Sequence, residues 1–272
     1  MNRVTCTIEN HIAIVTLDNG SHANCMTAKM MDELCDHVKK LELDPSVRCV
    51  ILTSAGEKAF CSGGDLKEEL HNATEEPQQL RDFNRQGDDM IQRILHGRLP
   101  YIAAVKGYAL GAAPAILSAC DIVIGAENSV YGMPTTSLGG LPGWGSTQLV
   151  PRVMGRQAVL RMMLLNQKLN ADEALRYGLI SEICPADQVL ERANKYALTI
   201  LSFSGTAVAA ARRSVSRTLD LPLSAGLELE DQLLTETNTG ADFAEGMRAF
   251  LEKRKPQFNS VGESPASIGG GF

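Results

Sequence analysis

Alternating apolar and polar residues open the chain and predict a β-hairpin. Residues 4–8 and 11–17 alternate on either side of Glu9 and Asn10, which is the pattern of two half-buried strands joined by a short turn. Helical spacing follows over residues 27–43, where the recurring apolar side chains predict one packed face. That face consists of Met30, Met31, Leu34, Cys35, Val38 and Leu41.

Further along, short apolar runs are each followed by a turn and a helical stretch. The runs predicted as strands are residues 48–53, 101–105, 120–125, 129–133 and 178–183. The stretches predicted as helices are residues 80–95, 112–119, 146–154, 156–165 and 171–177, the last capped by Asn170. Residues 68–79 are polar, charged and interrupted by Pro77, and they predict a mobile loop. Repeated strand–helix units with parallel pairing predict an α/β fold.

From residue 187 the pattern is helical, with breaks at Gly205, Pro222 and Gly240. We therefore divide the chain into a core over residues 1–200, a helical subdomain over 201–258 and a disordered tail over 259–272. Apolar positions of the last helices have little chain left to cover them, which predicts an oligomer. These positions are Leu227, Leu233, Leu234, Phe243, Met247 and Phe250.

Composition narrows the class of protein. The 272 residues carry a formal charge of −6 and no long basic run, so nucleic acid is not an expected partner. Seven cysteines are scattered without a C-x-x-C pair, and the five histidines show no metal-ligand spacing. This pattern predicts reduced thiols in a cytoplasmic protein without a metal. No uninterrupted apolar stretch of membrane-spanning length and no secretion signal are recognised, so no membrane association is expected.

Two glycine-containing turns, each between a strand and a helix, carry the candidate chemistry. The first is Lys58-Ala-Phe-Cys-Ser-Gly-Gly-Asp-Leu-Lys67, and the second is Lys106-Gly-Tyr-Ala-Leu-Gly-Ala-Ala-Pro114. Peptide N–H groups entering a helix have no intrahelical acceptor and can face a negatively charged oxygen. Two such donors aimed at one point form an oxyanion hole, which stabilises charge developing on a carbonyl oxygen.

Together with Leu138-Gly-Gly-Leu-Pro-Gly-Trp-Gly-Ser-Thr-Gln148, these motifs closely resemble the enoyl-CoA hydratase/isomerase (crotonase) family. The resemblance runs from about Val4 to Phe258. It implies a crotonase-like spiral of repeated ββα units, with C-terminal helices that build homotrimers or homohexamers. It also implies an acyl-CoA substrate, whose coenzyme A is part of the substrate rather than a separate cofactor. The implied oxyanion donors are the N–H groups of Gly64 and Ala112.

The same resemblance implies residues that contact coenzyme A. Around the adenine and pantetheine they are Cys25, Met26, Ala59, Cys61, Gly64, Asp65, Leu66 and Lys67. Phe250 and Lys253 match positions that reach the coenzyme A of a neighbouring subunit. A lysine there would supply a point charge for phosphate.

The chain departs from the family where hydratases carry two glutamates, because these positions hold Ala115 and Thr135. A third position, an aspartate in several isomerases and dehalogenases, is Gly143. Neither Ala115 nor Thr135 can exchange a proton near neutral pH, although Thr135 could position a water beside the thioester. Hydration is therefore not expected, and an atypical reaction such as decarboxylation, isomerisation or hydrolysis is predicted.

Three explanations of the missing carboxylates stay open. A group from another segment acts as the base, with candidates His71, Glu69, Arg85, Asp88 and Asp89. Alternatively, the reaction needs no base, as in decarboxylation of a malonyl-type thioester. In the third explanation the protein binds acyl-CoA without turnover. A serine or metal hydrolase unrelated to coenzyme A is disfavoured, because no Gly-x-Ser-x-Gly elbow is present.

Overall fold

A computed structural model describes residues 2–258. Its strands are β1 (Arg3–Glu9), β2 (Ile12–Asp18), β3 (Cys49–Ser54), β4 (Ala59–Cys61), β5 (Tyr101–Val105), β6 (Tyr108–Leu110), β7 (Ile122–Ala126), β8 (Val130–Gly132), β9 (Leu169–Asn170) and β10 (Glu182–Cys184). Its α-helices are α1 (Ala28–Leu43), α2 (Leu66–Thr74), α3 (Pro77–His96), α4 (Ala113–Ala119), α5 (Val150–Met154), α6 (Arg156–Leu164), α7 (Ala171–Arg176), α8 (Val189–Leu201), α9 (Gly205–Ser216), α10 (Leu223–Asn238) and α11 (Ala241–Leu251).

The strands form two sheets. The larger has the order β1-β2-β3-β5-β7-β10, and the smaller has the order β4-β6-β8-β9. Apart from the predicted hairpin β1–β2, neighbours in the larger sheet are parallel. In successive units the first strand joins the larger sheet and the second joins the smaller, as β3 and β4 or β5 and β6 do. This arrangement is the predicted α/β architecture of repeated ββα units.

Both faces of the larger sheet are covered, which explains why its central strands are apolar throughout. On one face the main core includes Met30 of α1, Ile94 of α3 and Ile116 of α4. On the other face Val189, Ala193 and Ala197 of α8 pack against the sheet. The predicted apolar face of α1 is buried as expected, and Thr27 caps that helix by accepting a hydrogen bond from Met30 N.

The predicted loop at residues 68–79 is wrong, because this segment is helical. Asp65 caps α2 by accepting hydrogen bonds from Lys67 N and Glu68 N. Pro77 begins α3 at the position where its missing N–H costs no hydrogen bond. The predicted helix 146–154 is also shorter than expected, since only Val150–Met154 is α-helical.

The C-terminal helices pack largely on one another. Helix α10 contacts α9 and α11, and α9 contacts α3 of the core. Five of the six predicted uncovered residues are exposed, but Leu233 is buried at 6% exposure, so the expectation for that residue is wrong. The division at residue 200 stays a prediction, and the predicted tail 259–272 lies outside the described residues. Within residues 2–258 no helix is long and apolar enough to cross a membrane.

Candidate active site

The two glycine-containing turns meet because the strands that precede them are neighbours. Strands β4 and β6 are parallel, with Ala59 opposite Tyr108 and Cys61 opposite Ala109. Parallel strands end at the same edge of a sheet, so the turns leading to α2 and α4 leave that edge side by side. The register therefore brings two separate peptide donors to one place.

Gly63 and Gly111 form the point of closest approach between the turns. A methyl group added to Gly111 would lie 2.9 Å from the Cα of Gly63, and one added to Gly63 would lie 3.5 Å from the Cα of Gly111. Both residues have positive φ, 99° and 67°, which glycine adopts without a steric penalty. Backbone packing and backbone conformation thus both require glycine at Gly111.

The residue after each of these glycines presents an N–H group without a protein acceptor. Among the hydrogen bonds of residues 2–258, neither Gly64 N nor Ala112 N donates to another group. Ala112 is the N-cap residue of α4, with φ −84° and ψ −4°. Because Ala112 precedes the first turn of α4, its N–H has no acceptor within that helix, and Gly64 likewise precedes α2. These are the two donors predicted from the sequence, on adjoining turns.

The loop before α1 is tied to the first turn. Met26 N donates to Gly63 O at 2.7 Å, and Asp65 N donates to Met26 O at 2.9 Å. The side chain of Asn24 donates to Ala59 O at 2.7 Å. Asn24 was not predicted as a site residue, although asparagine in a glycine-containing loop suits its positive φ of 53°. These bonds bring the predicted coenzyme A contacts Met26, Ala59 and Asp65 together.

Cys25 lies in the same cluster, where its thiol donates to the Asp65 carboxylate at 3.4 Å. Burial, together with this hydrogen bond, raises the pKa of the Cys25 thiol to about 12. The thiol is therefore protonated at neutral pH and is a poor nucleophile. Cys61 is fully buried at the end of β4, whereas Leu66 and Lys67 are exposed in the first turn of α2.

The positions without the family's glutamates lie in α4 and in the segment after β8. Ala115 is fully buried in α4, and Thr135 is partly buried in a short 3-10 helix, Pro134–Leu138. The next two hydroxyls bond carbonyl oxygens, Thr136 to Met163 and Ser137 to Pro134. Within the described residues the Thr135 hydroxyl has no such partner, so it is available to a water or a ligand.

Trp144, in the loop 138–148, packs against α3. Its side chain is 3% exposed and belongs to the main core. The indole ring packs at 5.4 Å from the ring of Phe83. It also covers Gly87, where an added methyl group would lie 2.2 Å from two indole atoms. The loop 138–148 is thereby fixed to α3 through one aromatic side chain.

Replacing Gly87 by alanine should destabilise the protein, although alanine favours helices. The gain in helix propensity of about 1 kcal/mol should be outweighed by about 1–3 kcal/mol of overpacking against Trp144. The matched control is Gly226→Ala in α10, where nothing lies within 4 Å of an added methyl group. We expect urea unfolding to show a loss for Gly87→Ala and a small gain for Gly226→Ala. Equal gains for the two variants would show that the contact does not constrain Trp144.

The two C-terminal residues predicted to reach a neighbouring subunit are both exposed. Phe250 lies near the end of α11 with 81% of its surface exposed, and Lys253 follows that helix with φ 55°. Beside them Arg254 pairs with Glu245 at 2.6 Å. Both residues are thus free to contact another chain.

The α/β arrangement of ββα units, with N–H groups of Gly64 and Ala112 that are unpaired among residues 2–258 and lie on adjoining turns, is the architecture that the sequence motifs implied. A family model described as enoyl-CoA hydratase/isomerase matches residues 7–261. The chain belongs to this family.

Relatives and solved structures agree with this assignment. The chain is 34% identical to the mitochondrial enoyl-CoA hydratase of Pongo abelii, over 92% of this chain and 84% of that protein. It is 32% identical to the short-chain-enoyl-CoA hydratase of Clostridium acetobutylicum, over 94% and 97%. The crystal structure of an enoyl-CoA hydratase from Bacillus anthracis superposes with a TM-score of 0.88 at 32% identity, covering 95% and 99%. The fold is therefore the crotonase fold.

Proposed function

We propose that this protein is an enzyme that acts on an acyl-CoA thioester and stabilises the thioester enolate. The thioester oxygen would accept hydrogen bonds from Gly64 N–H and Ala112 N–H. The observation that supports this most directly is that both donors lie unpaired on turns whose Gly63 and Gly111 backbones touch. Such donors stabilise the oxyanion more than the ground-state carbonyl, and this difference accelerates the reaction.

The reaction that we propose is one other than the usual hydration. Syn-hydration needs one group to activate water and another to protonate the α-carbon. Ala115 and Thr135 supply neither, since one is a methyl group in the core and the other a neutral hydroxyl. Isomerisation, decarboxylation and hydrolysis of a thioester remain, and all three develop negative charge on the thioester oxygen.

For coenzyme A, we retain Cys25, Met26, Ala59, Cys61 and the segment 64–67 as contacts of the adenine and pantetheine. The exposure of Phe250 and Lys253 supports contact with the coenzyme A of a neighbouring subunit. Exposed apolar side chains on α10 and α11 support a homotrimer or homohexamer. Among them are Leu227, Leu234, Phe243 and Met247.

A screen of thioester classes tests the proposed function. Enoyl-CoA, malonyl-type CoA and saturated acyl-CoA thioesters would be incubated with the protein and followed by mass spectrometry. We expect turnover of at least one class by isomerisation, decarboxylation or hydrolysis. Hydration of crotonyl-CoA at rates usual for enzymes would contradict our interpretation of Ala115 and Thr135.

The second candidate is an acyl-CoA-binding protein of the same fold without catalytic activity. The absence of both hydratase glutamates favours it, because binding does not require them. This candidate predicts micromolar binding of CoA thioesters by calorimetry and no turnover of any thioester in the screen. Turnover that depends on the peptide donors would exclude it.

A further inference from the structure

A carboxylate from α2 lies beside the α-carbon of Gly64, the residue that carries one of the two proposed oxyanion donors. A methyl group added to Gly64 would lie 1.8 Å from Glu69 Oε1 and 2.7 Å from Glu69 Cδ. The Glu69 carboxylate therefore occupies the space beside the α-carbon of Gly64, which a side chain would fill in any other residue. The absence of a side chain at Gly64 is what lets this carboxylate approach the donor turn.

Among the acidic residues of this turn, Glu69 is the one without a structural partner. Asp65 accepts hydrogen bonds from two backbone N–H groups of α2 and from the thiol of Cys25. Glu68 accepts a hydrogen bond from Ala28 N at 2.8 Å. Among the bonds of residues 2–258, none reaches the carboxylate of Glu69. Asp65 and Glu68 thus hold the backbone in place, whereas Glu69 is available to a ligand.

The surroundings of Glu69 suit a group that exchanges a proton. Burial raises the pKa of the Glu69 carboxyl group, and the nearby charge of Asp65 adds to the effect. Met26, Leu80 and Phe83 line the same narrow cavity, and the polar residues Asp65, Glu68 and Asn72 also line it. A raised pKa brings a carboxyl group closer to the working pH, where general acid–base catalysis is most efficient.

The other candidates from the sequence fit this role less well. His71 is exposed and lies 3.7 Å from Glu76. Arg85, Asp88 and Asp89 are exposed on α3, and no contact in the described residues places them at the donor turns. Of the five candidates, Glu69 alone is in contact with a residue of the oxyanion hole.

On this basis we propose that Glu69 is the catalytic group that removes and returns a proton at the α-carbon of the bound thioester. This inference rests on the proposed function, because it takes the thioester oxygen to be held by Gly64 and Ala112. The carboxylate accepts the proton, and the C–H electron pair forms the enolate whose oxygen the two N–H groups stabilise. Glu69 then returns a proton to carbon, and the carbonyl is restored.

With one such group the site needs no further reactant to isomerise an enoyl thioester. Proton removal from C2 of a 3-enoyl thioester gives a dienolate, and return of the proton to C4 leaves the double bond between C2 and C3. Addition of water needs a second group to activate the nucleophile. Glu69 alone therefore favours proton-shift chemistry over hydration.

Exchange of α-protons for deuterium tests the role of Glu69 without knowledge of the natural acyl group. Butyryl-CoA and 3-enoyl-CoA would be incubated with the protein in D₂O, and deuterium in the thioester followed by mass spectrometry. We expect Glu69→Gln to lower exchange and isomerisation by about 10²–10⁴-fold. Binding of butyryl-CoA, measured by calorimetry, should change by less than about threefold, since only the reacting group is altered.

Two further variants make the result specific. Glu68→Gln removes the same charge from the neighbouring residue, and its amide oxygen can still accept from Ala28 N, so near-normal exchange is expected. Glu69→Asp keeps a carboxylate and should recover part of the activity. In wild-type protein kcat/KM should fall at low pH with an apparent pKa above the ordinary glutamate pKa of 4.5, because only the carboxylate form accepts the proton. This fall should be absent in Glu69→Gln.

The outcomes separate the two proposals. Normal exchange and turnover in Glu69→Gln would overturn the role of Glu69 and leave the proposed function intact. Wild-type protein that binds thioesters but shows neither exchange nor turnover of any class would overturn both. Loss of activity in Glu68→Gln equal to that in Glu69→Gln would also overturn the assignment, because the effect would then follow from charge alone.

Discussion

Replacing Ala112 by proline should lower thioester turnover by about 10²–10³-fold, the usual effect of losing one oxyanion donor. Proline removes the N–H group that we assign to the oxyanion hole. The φ of Ala112, −84°, is near the value that proline requires, and its N–H makes no hydrogen bond among residues 2–258. Initial rates with the best thioester from the screen would measure the effect.

Ala112→Gly is the matched control, because it keeps the N–H group and needs no new space. It should stay within about threefold of the wild-type rate, since the donor is unchanged. Circular dichroism and thermal unfolding would establish that both variants are folded. A folded Ala112→Pro protein with near-normal turnover would remove Ala112 from the oxyanion hole.

The other proposed donor, Gly64 N–H, is harder to test by substitution alone. Gly64→Pro also removes an N–H group and should abolish activity, but any side chain at Gly64 meets the carboxylate of Glu69. Gly64→Ala is therefore its necessary comparison, since alanine displaces Glu69 while keeping the donor. The excess loss in Gly64→Pro over Gly64→Ala reports on the N–H group alone.

Part of the strand–turn–helix order was predictable because its signals are local, but β4 and β6, the strands that directly precede the turns, were not predicted and lie inside the two glycine-containing motifs. Apolar runs indicate β3, β5 and β7, and glycines mark both turns, as the adjacent Gly63 and Gly64 in the first and as Gly107 and Gly111 in the second. The loop prediction for residues 68–79 was wrong because Pro77, which lies in a polar stretch, was interpreted as a residue that interrupts helices. Asp65 followed by Glu68 is itself a helix-start signature, and proline is favoured in the first helical turn. The sequence therefore contains the signals for both helix starts, but the polar composition of the segment suggested a loop.

The relation of Glu69 to Gly64 could not be predicted in the same way. Glu69 is one of five possible bases in the sequence, and the local pattern does not distinguish among them. The distinction depends on the direction in which α2 leaves the turn and on which carboxylates the backbone already uses. Both follow from tertiary packing, which fixes the loop of Met26 against Gly63.

A buried ion pair between the core and the C-terminal helices was missed for a related reason. Arg212 of α9 bonds Asp121 at 2.7 Å, although 91 residues separate them. Its remaining nitrogens donate to the carbonyl oxygens of Ile94 and Gly97. The carboxylate of Asp121 also accepts from Tyr101 N at 2.7 Å. One arginine therefore joins α9 to the end of α3 and to β5.

Replacing Arg212 by methionine should lower the free energy of unfolding by about 3 kcal/mol near neutral pH. Breaking a buried pair typically costs about 3–5 kcal/mol because it leaves a charge uncompensated. The lower value applies here, since 30% of the Asp121 side chain remains exposed while only 5% of Arg212 does. Urea unfolding at a fixed protein concentration would measure the loss. A change below about 0.5 kcal/mol would mean that the pair behaves like an exposed one.

The loss of unfolding free energy caused by Arg212→Met should depend on pH, and the ionisation of Asp121 determines whether it grows or shrinks as the pH rises. Burial raises the pKa of this carboxyl group above 3.8, although Arg212 opposes the shift. A raised folded-state pKa means that stability is greatest below the unfolded pKa and falls as pH rises through the folded pKa. Without Arg212 the pKa rises further, so the loss should be larger at about pH 8 than at about pH 5.

Adding Asp121→Asn removes the charge but keeps an acceptor for Tyr101 N. We therefore expect the double variant to recover part of the stability near neutral pH and to lose the part of the pH dependence that comes from Asp121; Glu42, whose raised pKa Arg212 also opposes, keeps its own contribution. A double variant no more stable than Arg212→Met would show that the lost carbonyl contacts, rather than the unpaired carboxylate, cause the destabilisation.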